Sequence, residues 1–213
     1  IGGGAVEELE NIFADENEKQ KKYNFVFFQP QPTTDQKKII ESYSYQNSQF
    51  VFLEKGHRNL ITRAVRKFFR CFKIRLKTKY EKDFLRKLNN HQFDKIVFEG
   101  NCPILILKDL CRKYGKENLY FHIHSDYKPN VEIAKYVGHL IGVSSFVLRK
   151  WPDFCVQKHL NPINCHVLKN NVRNERFLQK ITISERERLR NKFGFVDDDL
   201  VVIFCGRIIP EKG

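Results

Sequence analysis

Methionine is absent from all 213 residues, the first included, and the chain opens on Ile1-Gly-Gly-Gly-Ala-Val-Glu-Glu. It closes as abruptly on Ile203-Phe-Cys-Gly-Arg-Ile-Ile-Pro-Glu-Lys-Gly213, an apolar run feeding a glycine and a loop with two cations. The expectation is a piece of a longer protein, cut inside a motif at each end. No apolar run approaches the roughly 20 residues needed to cross a bilayer, and Leu200 to Cys205 is among the longest. Also missing is the basic start, apolar stretch and small-residue cleavage site of a secretory leader. The cysteines (Cys71, Cys102, Cys111, Cys155, Cys165 and Cys205) have no Cys-x-x-Cys spacing, which speaks against a zinc ribbon or a disulfide frame. Most have apolar neighbours and are expected to be reduced core thiols of a cytosolic protein. Internal repeats and low-complexity tracts are lacking as well.

What is present is charge and apolar mass. At 41% hydrophobic residues the chain can bury a real core, which argues against wholesale disorder. With 38 basic and 25 acidic residues the net charge is +13, an excess that suits an anionic partner: nucleic acid, anionic lipid or a phosphate-bearing substrate.

The patterning alternates. Val6, Leu9, Ile12 and Phe13 fall on one face of a helix after the glycines. Strands are expected at Tyr23–Phe28, Gln49–Leu53, Lys95–Glu99, Leu119–His124, His139–Val143 and Cys165–Leu168. Helices are expected near Asp35, over Pro103–Tyr114, from Asn130 to Tyr136 and from Ser144. Ser184-Glu-Arg-Glu187 reads as a capping box opening a helix to about Lys192. Leu200 to Cys205 then reads as a strand buried on both faces. Strands alternating with helices define an α/β fold: a Rossmann-like parallel sheet with helices on both faces. The domains expected are 1–178, a linker and helix over 179–199, and the start of a second α/β unit over 200–213.

In open α/β sheets ligands sit beyond the carboxyl ends of strands. Gly206 allows close backbone approach there, Arg207 offers a planar fork for phosphate oxygens, and Lys212 adds an ammonium. The loop is not a Walker A loop, because no Ser or Thr follows Lys212, and no Gly-x-Gly-x-x-Gly fingerprint occurs. Two solvated surface cations would explain it equally well on its own.

Five stretches, in order, resemble the glycosyltransferase family 4 enzymes of the GT-B fold. Gly206-Arg-Ile-Ile-Pro-Glu-Lys-Gly213 resembles their GRLVPEKG signature, and Ile163 to Phe177 their inter-domain segment. Val143-Ser-Ser-Phe-Val-Leu-Arg149 resembles a helix start, Phe121-His-Ile-His-Ser-Asp126 a strand ending in His-Asp, and Gly2-Gly-Gly-Ala-Val-Glu-Glu8 an N-terminal glycine loop. Two positions depart from the pattern: Asn171 stands where Gly is usual, and Ser125 separates His124 from Asp126.

The resemblance implies a retaining glycosyltransferase. It would move a sugar from a nucleotide-diphosphate sugar, UDP-linked most commonly, to a glycan or lipid-linked acceptor in cell-surface polysaccharide or glycolipid synthesis. It implies no metal and no other cofactor, with Arg207, Lys212 and Gly206 holding the donor phosphates. Gly3 and Gly4 match the acceptor or phosphate loop, and His124 matches the histidine beside the reacting centre. Glu99-Gly-Asn101, just beyond a strand, is placed with Glu99 at that centre and Asn101 lining the acceptor side, or else is only a turn. His122 and His124 share a strand face, but the sequence suggests no third metal ligand.

Between Arg58 and Lys87 stand twelve Lys or Arg against Glu81 and Asp83, a net of +10. On a helix, Ile61, Ala64, Val65, Phe68, Phe69, Phe72 and Leu76 share one side, opposite Arg63, Arg66, Lys67, Arg70, Lys73 and Lys77. A core-packed helix with a solvated basic back is the plain expectation. The further one is that Arg66, Lys67, Arg70 and Lys73 rest on anionic lipid, making the protein cytoplasmic and peripheral on the inner face of the cell membrane. The phenylalanines fall away from the cations, where bases could not stack on them, and no nucleic-acid motif occurs. A non-catalytic sugar-binding subunit of the same fold is the main alternative, and a basic nucleic-acid binder a weaker one.

Overall fold

The computed structural model describes residues 5–34, 37–38, 44–54, 67–69, 71, 76–171, 178 and 180–202. The chain divides into two compact units, Ile1–Val172 and Arg173–Gly213.

In the first unit the order begins α1 (Ala5–Gln20), β1 (Phe25–Pro30), β2 (Ser48–Leu53). Among the described side chains of α1, Leu9, Ala14 and Asn17 are buried, whereas Phe13 of the expected apolar face is exposed; the Val6 side chain lies outside the described ones. Asn17 ends the helix: its Nδ2 donates to Tyr23 O at 2.7 Å and its Oδ1 accepts from Tyr23 N at 2.9 Å. With both backbone groups of Tyr23 so engaged, the strand starts two residues later than its apolar run does. β1 and β2 pair in parallel, Phe25 opposite Ser48, with Phe27 stacked on Phe50 at 5.2 Å.

The basic stretch holds a helix that its periodicity did not separate, α2 (Lys79–Leu88). It opens on a capping box spelled Thr78-x-x-Glu81. Glu81 N donates to Thr78 Oγ1 at 3.0 Å and Thr78 N to Glu81 Oε2 at 2.6 Å, and such a cap contributes about 1 kcal/mol. One turn on, buried Asp83 accepts from Glu54 N at 3.0 Å and pairs with Arg86 at 2.5 Å and Lys87 at 3.2 Å. Lys87 also donates to the Phe52 carbonyl, so α2 is fastened to the end of β2. Phe84 lies edge-on to Phe28 of β1 at 5.1 Å. Further up the same stretch, Lys67–Phe69 is helical, but Phe68 is 61% exposed and Leu76 is exposed too, so the expected core-facing side is open at these residues.

A second sheet follows, with strands in the order β3 (Ile96–Glu99), β4 (Leu119–Ile123), β5 (His139–Gly142), β6 (Asn164–Val167), all parallel. Between them run α3 (Leu107–Tyr114), α4 (Val131–Tyr136), α5 (Ser145–Leu148) and α6 (Lys150–Gln157). Parallel strands joined by helical crossovers make this an α/β fold, consistent with a Rossmann-like sheet. Period-two alternation sends Ile96, Phe98, Leu119, Phe121, Ile123 and Leu140 into one buried cluster with Phe84, Leu107, Ile133, Val147 and the fully enclosed Trp151. The opposite face carries Val97, Tyr120, His139, Ile141 and His166, half-buried to exposed. Asn130 caps α4, accepting from Glu132 N at 2.8 Å. Of the described cysteines, all unpaired, Cys155 is buried while Cys71 and Cys165 are exposed, so the expectation of core thiols holds only in part.

The second unit contains α7 (Ile183–Lys192), which has no buried residue. Its cap is Thr182 rather than Ser184: Glu185 N donates to Thr182 Oγ1 at 3.2 Å, and Ser184 already lies inside the helix. Thr182 has the extended backbone a cap requires, and this is what places the start two residues early. Residues 200–202 are not a strand, and Leu200 is 90% exposed. A doubly buried strand needs sheet neighbours on its edges and layers on its faces, and among the described residues of this unit none lies against 200–202; residues 203–205 of the expected strand lie outside the described residues.

Candidate functional site

The site grows from the carboxyl ends of β3 and β4. Beyond Glu99, Gly100 turns the chain at φ 65°, a conformation that disfavours side chains. Its N–H donates to His122 O at 3.1 Å, and Asn101 N donates to Glu99 O at 2.6 Å. These bonds hold Glu99 in register opposite His122, and alternation then puts His124 on the same face.

Three side chains converge there. His124 Nε2 lies 2.8 Å from Glu99 Oε2, and His122 Nδ1 lies 3.0 Å from Oε2 and 3.2 Å from Oε1. The two imidazoles are 4.1 Å apart between centroids. His122 is fully buried, and its Nε2 has no hydrogen-bond partner; the Glu99 and His124 side chains keep 22% and 14% exposure. Burial pushes the Glu99 carboxyl up, but the hydrogen bonds and charge of His122 and His124 outweigh it and hold the group below the ordinary carboxylate range. An ionised carboxylate only accepts, so both ring nitrogens facing it carry protons. His124 is thereby fixed with Nδ1 turned away from Glu99, the arrangement of an imidazole oriented by a carboxylate.

Asn101 follows the turn and is exposed, and Cys102 beyond it is half-buried, burial pushing its thiol up so that it stays protonated. Asp126 does not join the cluster. It pairs at the surface with Lys150 at 2.6 Å and Arg149 at 3.3 Å, and the Lys150 bond leads in holding its carboxyl below the usual range. Arg149, ending the segment that resembles a helix start, lies over the Phe146 ring at 3.4 Å.

Of the residues singled out in the sequence, the structure thus brings Glu99 and His124 into contact and keeps Asn101 one turn away. Lys67 is an exposed helical residue. Gly3, Gly4, Arg66, Arg70, Lys73, Gly206, Arg207 and Lys212 lie outside the described residues. Glu99 and His124 were both singled out in the sequence; what sequence reasoning missed is that Glu99 also meets His122 and so is the third partner of the histidine pair. Its signal, a lone carboxylate closing the preceding strand, acquires meaning only once β3 and β4 are known to be neighbours. No family model, curated protein or solved structure matches the chain.

Proposed function

We propose that this chain is the acceptor-side part of a retaining glycosyltransferase that moves a sugar from a nucleotide-diphosphate donor to a glycan or lipid-linked acceptor. The observation that carries the reading is the 2.8 Å contact between Glu99 and His124 at the carboxyl ends of adjacent parallel strands. Parallel α/β sheets bind ligands at that edge, and His124 is the residue that the resemblance sets beside the reacting centre. Glu99 orients the imidazole, while Arg207 and Lys212 take up the charge that grows on the departing nucleotide diphosphate. The test supplies the complete gene product with isotopically labelled nucleotide-diphosphate sugars and a lipid extract. Label should pass into the lipid or glycan fraction, and His124→Ala should abolish most of the transfer. No transfer from any donor, or an unaffected His124→Ala variant, would overturn the reading.

The acceptor side faces a membrane in this proposal. Exposed Phe68 beside exposed Lys67 suits a helix lying in an anionic interface, with the ring in the acyl boundary and the cation among headgroups. The protein should sediment with anionic vesicles at low salt and release as salt screens the charges. Reversing Arg66, Lys67, Arg70 and Lys73 to Glu should remove most of that binding with the fold intact; sedimentation that survives the reversal would remove the membrane from the account.

A further inference from the structure

We propose that Glu99, His122 and His124 bind one divalent transition-metal ion of the zinc type. The inference stands apart from glycosyl transfer and uses no sugar chemistry. Two imidazoles and one carboxylate are the donor set that zinc and its neighbours take, whereas magnesium and calcium prefer oxygen alone. The three candidate ligand atoms all lie within 4.8 Å of one another. Two of the separations, 2.8 Å and 3.0 Å, compare with about 3.3 Å between ligands of a tetrahedral site whose bonds run near 2.0–2.1 Å. Small side-chain rotations therefore open the space an ion needs. Each neutral ring would move its proton to the far nitrogen, freeing a lone pair where it now donates to Glu99.

The scaffold favours a preformed site. All three residues sit at the ends of paired strands, with Glu99 locked by the Gly100 and Asn101 backbone bonds, so little ordering remains to be done on binding. Three protein ligands leave a fourth position open on the side of His124 and Glu99, which keep some exposure, the pattern of a site that keeps a water or a ligand. An ion there would also cross-link β3 to β4 beyond their last backbone bonds. Occupancy would take His124 out of contact with any other partner, so a bound ion and a free imidazole base are exclusive states.

A second histidine pair supplies the internal control. His139 Nδ1 and His166 Nε2 are 3.1 Å apart on the exposed sheet face, but no carboxylate or thiol joins them among the described residues. The 213-residue chain, reduced and freed of metal with a chelator, is titrated with Zn²⁺ against a chromophoric competitor and separately with Co²⁺, whose visible spectrum reports tetrahedral coordination. One ion per chain is expected. Glu99→Gln and His124→Asn, both conservative in size, should each weaken binding about tenfold to a hundredfold or more and erase the cobalt spectrum, with circular dichroism unchanged. The His139→Ala/His166→Ala double variant should bind as the parent does. No ion bound to the parent chain, binding that survives both cluster variants, or binding lost in the double variant would each overturn the assignment. Since no transfer rate is read, the result is independent of whether the protein moves sugar.

Discussion

Arg207→Ala in the complete gene product should lower the proposed sugar transfer by roughly two to three orders of magnitude, and Lys212→Ala should do the same. The scale is that of losing one preorganised donor aimed at charge that develops only in the transition state. As the glycosidic bond breaks, the leaving diphosphate gains negative charge. In the proposed reaction Arg207 and Lys212 are the fixed cations that meet that charge. A guanidinium meets two phosphate oxygens at once, so Arg207→Lys should recover only part of the loss. The melting temperature should stay near that of the parent, since neither residue is assigned a place in the core. Rate and melting temperature are measured together on purified variants. Near-normal rates in both alanine variants would reduce the pair to ordinary surface cations, and a rate loss matched by a large melting shift would assign them a structural role instead.

Asp83→Asn should cost about 2 kcal/mol of stability at neutral pH and flatten the acid limb of the stability curve. The Glu54 N–H leads in holding this carboxyl down, with Arg86 and Lys87 adding to it against the opposing effect of burial, and its pKa falls to about 2. Because the folded value lies below the unfolded value of about 3.9, the contribution is fully present above roughly pH 4 and is lost as pH falls towards 2. Arg86 and Lys87 stay charged throughout that window, and exposed Glu54 is held by Lys79. Asparagine keeps the acceptor for the Glu54 N–H and loses the charge that Arg86 and Lys87 compensate. Urea unfolding at pH 7 and pH 3 on parent and variant reads the difference directly, since the other carboxylates cancel. Equal acid sensitivity in the two proteins would show that Asp83 is not the linked group.

Much of the first unit was legible because its strands carry their own signal. Ile96–Glu99 and Leu119–Ile123 are short apolar runs bounded by polar residues, and period two alone places His122 and His124 together. Glu99 could be picked out as a carboxylate beyond a strand end, but its contact with both histidines was not legible. Glu99 is 23 residues from His122, and their meeting depends on a register set by core pairs such as Ile96 with Leu119 and Phe98 with Phe121. The helix at Lys79–Leu88 was missed for a different reason. Its Thr-x-x-Glu cap was present, but the surrounding positive charge reads as one continuous basic face until Asp83 is seen to be buried. The described start of the expected Leu200–Cys205 strand is instead exposed at Leu200 and Val202: an apolar run is a sufficient reason for burial only where another layer lies against it.

The fastening of α2 decides how the first unit comes apart. A two-stranded sheet has little stability of its own, and β1–β2 is tied through Phe28, the Phe52 carbonyl and the Glu54 amide to Phe84, Lys87 and Asp83 of this helix. On its far side α2 meets α3, where the Tyr114 hydroxyl donates to Leu88 O at 3.2 Å. The helix therefore acts as a clutch between a small sheet and a large one. While it is engaged, the two sheets should exchange amide hydrogens as one cooperative body; weakening it should release β1 and β2 as a separate, low-stability foldon while the four-stranded layer stays closed.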